Sequence, residues 1–157
     1  VESYDAYLHK PVLDAAIDHA RRFAKVGVES MGLLVGEAYT HRGRPYVVIE
    51  KYLTAGNEST RVSVRFSREA LGELAREYMA RHRGKVLAGW CHSHPSYGCF
   101  LSSTDLATQR RFFPEPWHVA MVVDPLREEG GSPAHRVFKL NHAGYEEAAY
   151  AVIEHRG

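Results

Sequence analysis

Two histidines, His92 and His94, close a short apolar run, Val86 to Trp90, and are stopped by Pro95. Side chains on a strand alternate between faces, so residues two apart leave the same side and two imidazoles can address one ion. Asp105 follows in Ser102-Ser103-Thr104-Asp105, inside the first turn of a predicted helix, so a loop closing over the strand end can deliver a carboxylate as third ligand. Two imidazoles and one carboxylate are the ligand set of a catalytic zinc site that keeps a fourth position for water. Zinc lowers the pKa of its water toward about 7, yet a base must still take the proton and pass it to a leaving amine. Glu29 is the candidate, because it sits in Val28-Glu29-Ser30-Met31-Gly32, just ahead of an apolar strand where a lone charge is hard to place. Ser102 can offer its hydroxyl to the oxyanion of a tetrahedral intermediate. These residues predict one Zn2+ per chain on His92, His94 and Asp105, with Glu29 as general base.

Each piece also has a simpler reading. Ser102 to Asp105 has the pattern of a capping box, which is compatible with catalysis because a cap also positions Asp105. A His-x-His pair is commonly an ordinary strand pair, and a glutamate at a turn is commonly solvated. Cys91 and Cys99 flank the histidines, but Cys91 is adjacent to His92 and should point to the opposite strand face, which argues against a thiolate site. No Pro-Cys-x-x-Cys or His-x-Glu of a deaminase zinc site is present, nor His-Glu-x-x-His of a helix-borne zinc protease. The other eight of the ten histidines (His9, His19, His41, His82, His118, His135, His142 and His155) have no partner at ligand spacing and read as surface or helix-terminal residues.

The elements that must position these groups follow from periodicity. Val12, Ala15, Ala16, Ala20, Phe23 and Ala24 recur at helical spacing behind Pro11, predicting an amphipathic helix over 11–26. Met31 to Val35 and Tyr46 to Leu53 read as strands around a turn at 41–45. A polar loop from residue 54 leads to alternating Val62, Val64 and Phe66, a possible edge strand. Ser67 caps a second helix ending at Gly84, the strand 86–90 follows, and a third helix spans Ser102 to Phe112 before Pro114-Glu115-Pro116. Trp117 to Val123 and His135 to Leu140 read as strands, and Tyr145 to His155 as a last helix. Interleaved helices and strands predict an α/β or α+β architecture around one core.

The chain of 157 residues, 45% hydrophobic and 25% charged, fits one soluble globular domain over 1–157. A formal charge of +1 gives no field for nucleic acid, and the patches Arg81-His82-Arg83 and Arg110-Arg111 read as solvated helix ends. No apolar run approaches the roughly 18 residues that span a bilayer. Two cysteines and the lack of a charged-then-apolar leader ahead of Tyr4 point to a reducing cytoplasm.

Taken together, the residues resemble the JAMM (MPN+) metalloprotease family. Its signature is an upstream Glu, then His-x-His-Pro, six residues, and Ser-x-x-Asp. Here these are Glu29, His92-Ser93-His94-Pro95, residues 96–101, and Ser102-Ser103-Thr104-Asp105. Met31-Gly32-Leu33-Leu34-Val35-Gly36, Gly89-Trp90, Tyr97-Gly98-Cys99-Phe100-Leu101, Gln109 and Val122-Val123-Asp124-Pro125 extend the likeness over roughly residues 5–142. It is most similar to the proteasome-lid deubiquitinase and signalosome deneddylase subgroup and their prokaryotic relatives.

The resemblance implies a cytidine-deaminase-like MPN/JAMM domain, a curved mixed β-sheet flanked by helices. It implies zinc on His92, His94 and Asp105, and hydrolysis of the isopeptide or peptide bond after the C-terminal Gly-Gly of ubiquitin or a ubiquitin-like protein. The substrate tail would lie beside an insertion strand by β-augmentation, here within Gly56 to Phe66 with Val62, Ser63 and Val64 as the pairing strand; a plain surface loop and edge strand is the alternative. Ser96 stands where this subgroup often has Gly. Long C-terminal helices for joining lid or signalosome are not seen and the second insertion is short, so a free-standing or differently partnered enzyme of a prokaryotic ubiquitin-like pathway is expected, with an MPN-type dimer partner also open. Alternatives are processing of a sulfur-carrier protein's C-terminus and a non-catalytic MPN scaffold.

Overall fold

The structure, a computed structural model, describes residues 3–54, 61–81 and 84–154, with the backbone alone for 61–69 and 81. Strand β1 (Ala6–His9) runs directly into helix α1 (Lys10–Ala24), which starts at Pro11 in its first turn. The hairpin β2 (Met31–His41) and β3 (Arg44–Thr54) follows, then α2 (Arg61–Arg81), β4 (Val86–Ser93), α3 (Ser103–Phe112), β5 (Val119–Glu129), β6 (Ser132–Asn141), β7 (Gly144–Glu147) and β8 (Tyr150–Ile153). The strands form one mixed sheet in the order β7-β6-β5-β4-β2-β3-β1-β8. Arg42 and Gly43 have φ of 52° and 79°, both positive, as a two-residue hairpin turn that follows strand twist requires. β4 and β5 are parallel neighbours, so the chain must cross over between them, and α3 lies in that crossover.

Both faces of the sheet are covered. Val12, Leu13, Ala16, Ile17 and Ala20 of α1 pack on one face against Leu34, Ile49, Met121 and Val123. Leu71 and Ala75 of α2 and Phe113 after α3 pack on the other against Leu33, Val35, Ala120 and Val122. Successive residues of β5 therefore bury themselves on opposite sides, which is why that strand reads as continuous apolar sequence rather than as alternation.

One irregularity decides which face carries the histidines. On β4, Gly89 pairs with Leu34 but Leu87 pairs with Val35, so Ala88 is an extra residue. The bulge lets Leu87 and Trp90, three apart, share the α2 face, while Ala88 and Cys91 share the α1 face. His92 stacks on Trp90 with ring centroids 4.4 Å apart, so Cys91 is indeed turned away from it. Position 89 needs glycine because a Cβ there would sit 1.7 Å from the Val119 carbonyl oxygen.

Three sequence expectations are corrected. Of the helix expected over 145–155, the described residues 145–154 are not helical: Leu140 pairs with Tyr145 and Phe138 with Glu147 in a hairpin, and β8 adds to β1. The Ala- and Glu-rich text favours a helix by only tenths of a kcal/mol per residue, roughly, which sheet pairing and the Tyr145 ring set edge-to-face on Phe138 at 5.5 Å override. The edge strand expected at Val62, Ser63 and Val64 is instead the start of α2. Once 67–81 is helical the nucleation cost is met, and adding a turn ahead of it costs little even for valines; the loop at 55–60 lies outside the described residues. His19 and His118 are buried, not superficial, at 6% and 8% exposure. His19 Nδ1 lies 2.6 Å from the Tyr52 hydroxyl, and His118 Nδ1 accepts the Glu115 N–H at 2.9 Å.

Burial pushes both imidazoles down to about 4. An unfolded histidine titrates near 6.5, so between about 6.5 and 4 the unfolded state binds more protons and stability falls with falling pH. The unfolding free energy, measured by urea titration from pH 7 to 5, should drop by about 1–2 kcal/mol per histidine, and His19→Gln or His118→Gln should flatten that slope. Gly89→Ala should cost about 2 kcal/mol or more by the same measurement, because backbone rather than a movable side chain opposes the new methyl.

Candidate metal centre

Glu29, His92, His94 and Asp105 come from three separate stretches of chain, and one ligand atom from each lies within 4.8 Å of the others. His92 Nε2 is 3.1 Å from His94 Nε2, and the two are 2.9 and 3.0 Å from Asp105 Oδ2. Those edges approach the separation of about 3.3 Å between ligands arranged tetrahedrally at zinc–nitrogen distances of about 2.0 Å. Asp105 and His92 are fully buried, and His94 is 3% exposed.

The donor chemistry fits a cation. His94 Nδ1 lies 3.1 Å from the Gly98 carbonyl oxygen, which can only accept, so neutral His94 carries its proton on Nδ1. Its Nε2 lone pair then faces the Asp105 carboxylate, an arrangement that is repulsive unless a proton or metal ion stands between them. Burial pulls the His94 pKa down, but the carboxylates of Asp105 and Glu29 outweigh it and raise it. Burial likewise pushes Asp105 up, yet the His92 and His94 imidazoles and the Ser102 N–H hold it well below the usual carboxylate range. A divalent cation would satisfy the three converging atoms together.

Each group is held from behind. Ser102 Oγ accepts the Asp105 N–H at 3.1 Å while Asp105 Oδ2 accepts the Ser102 N–H at 3.0 Å, so the capping box expected from sequence is formed. The half-buried Ser102 keeps its own hydroxyl proton to donate. Trp90, against which His92 stacks, donates from Nε1 to Gln109 Oε1 at 2.6 Å, tying α3, and with it Asp105, to the histidine strand. Glu29 is half-buried in the α1–β2 connection. Its neighbour Ser30 donates its N–H to Ser93 Oγ at 2.8 Å, and Ser93 returns its own N–H to the Ser30 carbonyl at 3.0 Å. This reciprocal pair pins the glutamate's loop beside the strand end. Sequence reasoning assigned no role to Ser93, Gln109 or Asp124; the polar letters inside apolar strand and helix text were the available signal. Val62, Ser63 and Val64 are in α2, and neither cysteine is among the four residues of the cluster.

The layered fold matches a solved structure, the solution structure of protein DSY2949 from Desulfitobacterium hafniense, with a TM-score of 0.65 over 96% of this chain and 94% of that one at 21% identity. Residues 2–113 match the family described as JAB1/Mov34/MPN/PAD-1 ubiquitin protease, and the chain belongs to that family. Curated relatives include COP9 signalosome complex subunit 5 of Caenorhabditis elegans, 36% identical over 69% of this chain and 29% of the relative. Ubiquitin carboxyl-terminal hydrolase RPN11 of Saccharomyces cerevisiae is 33% identical over 88% of this chain and 44% of its own length. The chain thus spans less than half of these relatives. No helix among the described residues is long and apolar enough to cross a membrane.

Zinc titration followed by elemental analysis should give one ion per chain. Asp105→Asn should weaken zinc binding, measured by chelator competition, by more than the about 10–100-fold typical of losing an outer-shell partner.

Proposed function

We infer that this chain is a zinc-dependent isopeptidase or protease that hydrolyses the bond after the C-terminal Gly-Gly of ubiquitin or a ubiquitin-like protein, in deconjugation or precursor processing. The observation that carries the reading is the convergence of Glu29, His92, His94 and Asp105 in a member of the ubiquitin-protease family. The names of its relatives, a ubiquitin hydrolase and proteasome and signalosome subunits, favour a ubiquitin-like substrate and action within an assembly.

His92, His94 and Asp105 would hold the zinc, which supplies Lewis acidity that makes water nucleophilic near neutral pH. Glu29, the one half-buried member of the cluster, takes the proton from the attacking water and returns it to the departing amine. Ser102 offers its hydroxyl hydrogen to the oxygen that becomes negative, while its oxygen stays engaged with the Asp105 N–H. Tyr97 and Phe100, 62% and 41% exposed, flank His94 and give an apolar lip beside which an extended tail can lie. Val62, Ser63 and Val64 remain candidates for tail contact as the first turn of α2, not as an added strand. The reading treats 1–157 as one catalytic domain, acting in the cytoplasm.

Cleavage of a ubiquitin-like fusion or isopeptide conjugate tests the reading. Glu29→Gln should lower kcat by at least about 100-fold, in the general-base range, without loss of zinc; undiminished cleavage would overturn the mechanism. Ser102→Ala should lower kcat by about 100–1000-fold and cost about 1 kcal/mol of stability through the lost cap. A purified wild-type chain that binds no zinc would instead favour a scaffold.

A further inference from the structure

Asp124 is a fully buried carboxylate within β5, one residue past the last pairing with β4 and at the irregularity in the ladder with β6, and no step described above uses it. Its Oδ1 accepts the Ser96 N–H at 2.8 Å and the Leu126 N–H at 3.0 Å, and its Oδ2 accepts the Gly98 N–H at 2.8 Å. Ser96 and Gly98 both have left-handed backbones, with φ of 66° and 85°. That conformation turns their amides inward as a concave anion-binding nest, and here the bound anion is a side chain of the same protein. Arg127 Nη2 donates to the Ser96 carbonyl at 3.0 Å, and its Nε lies 3.5 Å from Asp124 Oδ2, closing the loop from outside.

The Gly98 peptide is thereby gripped from two directions. Asp124 takes its N–H, and its carbonyl takes the His94 Nδ1 hydrogen at 3.1 Å. We propose that Asp124 is a positioning residue for the metal site: by holding the 96–98 loop it fixes the Gly98 carbonyl, and the carbonyl fixes the orientation and Nδ1–H tautomer of His94, so that Nε2 presents its lone pair to the ion. A metal-bound imidazole is ordinarily oriented by an acceptor on its other nitrogen. Here that acceptor is a carbonyl of the loop between β4 and α3, and Asp124 ties that loop to β5. At Ser96 the left-handed backbone is unfavourable for a residue with a Cβ, which is why a buried carboxylate and an arginine are both spent on the loop. The inference rests on the metal-site reading above.

Asp124→Asn tests it, because an amide of the same shape has one acceptor oxygen where three N–H groups now share two. Nitrogen-15 NMR of the imidazole rings in the metal-free protein reads the tautomer directly, and chelator competition reads zinc affinity. Wild type should show His94 protonated at Nδ1. The variant should show a mixture of tautomers and an about 10–100-fold weaker zinc affinity. Adding Ser96→Gly, which removes the conformational penalty, should restore part of both. Zinc affinity within about 2-fold of wild type together with an unchanged tautomer would overturn the proposal while leaving the metal site intact. A wild type that takes up no zinc overturns the metal-site reading instead, and the tautomer comparison, made without metal, still decides the role of Asp124. If Asp124→Asn does not fold, Arg127→Ala serves, since Arg127 is 60% exposed: a several-fold loss of zinc affinity is expected, and none counts against the proposal.

Discussion

On one oxygen atom, Oδ2 of Asp105, two imidazole nitrogens and a backbone N–H converge in a place closed to water. A buried charge is tolerated only when its surroundings compensate it. The elements around it are arranged to do so. The turn that starts α3 delivers the carboxylate and its own N–H group, β4 delivers the imidazoles, and the Trp90–Gln109 hydrogen bond keeps the two elements in register. Loss of any of these would leave the carboxylate under-compensated, so site and fold are stabilised by the same contacts.

The sheet makes that convergence possible by switching parity once. Without the extra residue at Ala88, Leu87 and Trp90 could not both face α2, and a regular strand keeping Leu87 in place would turn His92 toward α1. The bulge needs a residue without Cβ, since β5 passes over Gly89 at backbone contact distance. A packing detail five residues ahead of His94 thus decides the face on which chemistry can occur.

How much of this was legible in the sequence follows from which groups carry a letter. His92, His94, Ser102, Asp105 and Glu29 could be found because metal and proton chemistry needs particular side chains, and local rules of strand parity and helix capping relate their spacing to direction. The Gly98 carbonyl could not be found, because every residue has one and only the fold aims it. Asp124 was visible as a charge in apolar text, by the argument already applied to Glu29, but its partners are amides of a loop 26 and 28 residues away. The misread C-terminal segment failed for the same reason in another form: Tyr145 to Ile153 has helix-forming composition, and only the free edges of β6 and β1 turn it into strands. His19 and His118 were misplaced because a neutral imidazole packs like an aromatic ring, which a reading by charge overlooks.

The position of β1 has a consequence for how the protein is made. β1 lies between β3 and β8, parallel to both, so residues 6–9 pair with residues 150–153. Asp5 adds long-range ties, accepting from Arg44, Lys139 and the Ala149 N–H. Because synthesis runs from the N-terminus to the C-terminus, the β8 side of β1 stays open until residues 150–153 have emerged from the ribosome. Loop closure over such separations is slow compared with helix or hairpin formation. Until β8 pairs with it, β1 is an exposed edge for which cellular chaperones, or a neighbouring nascent chain, can compete.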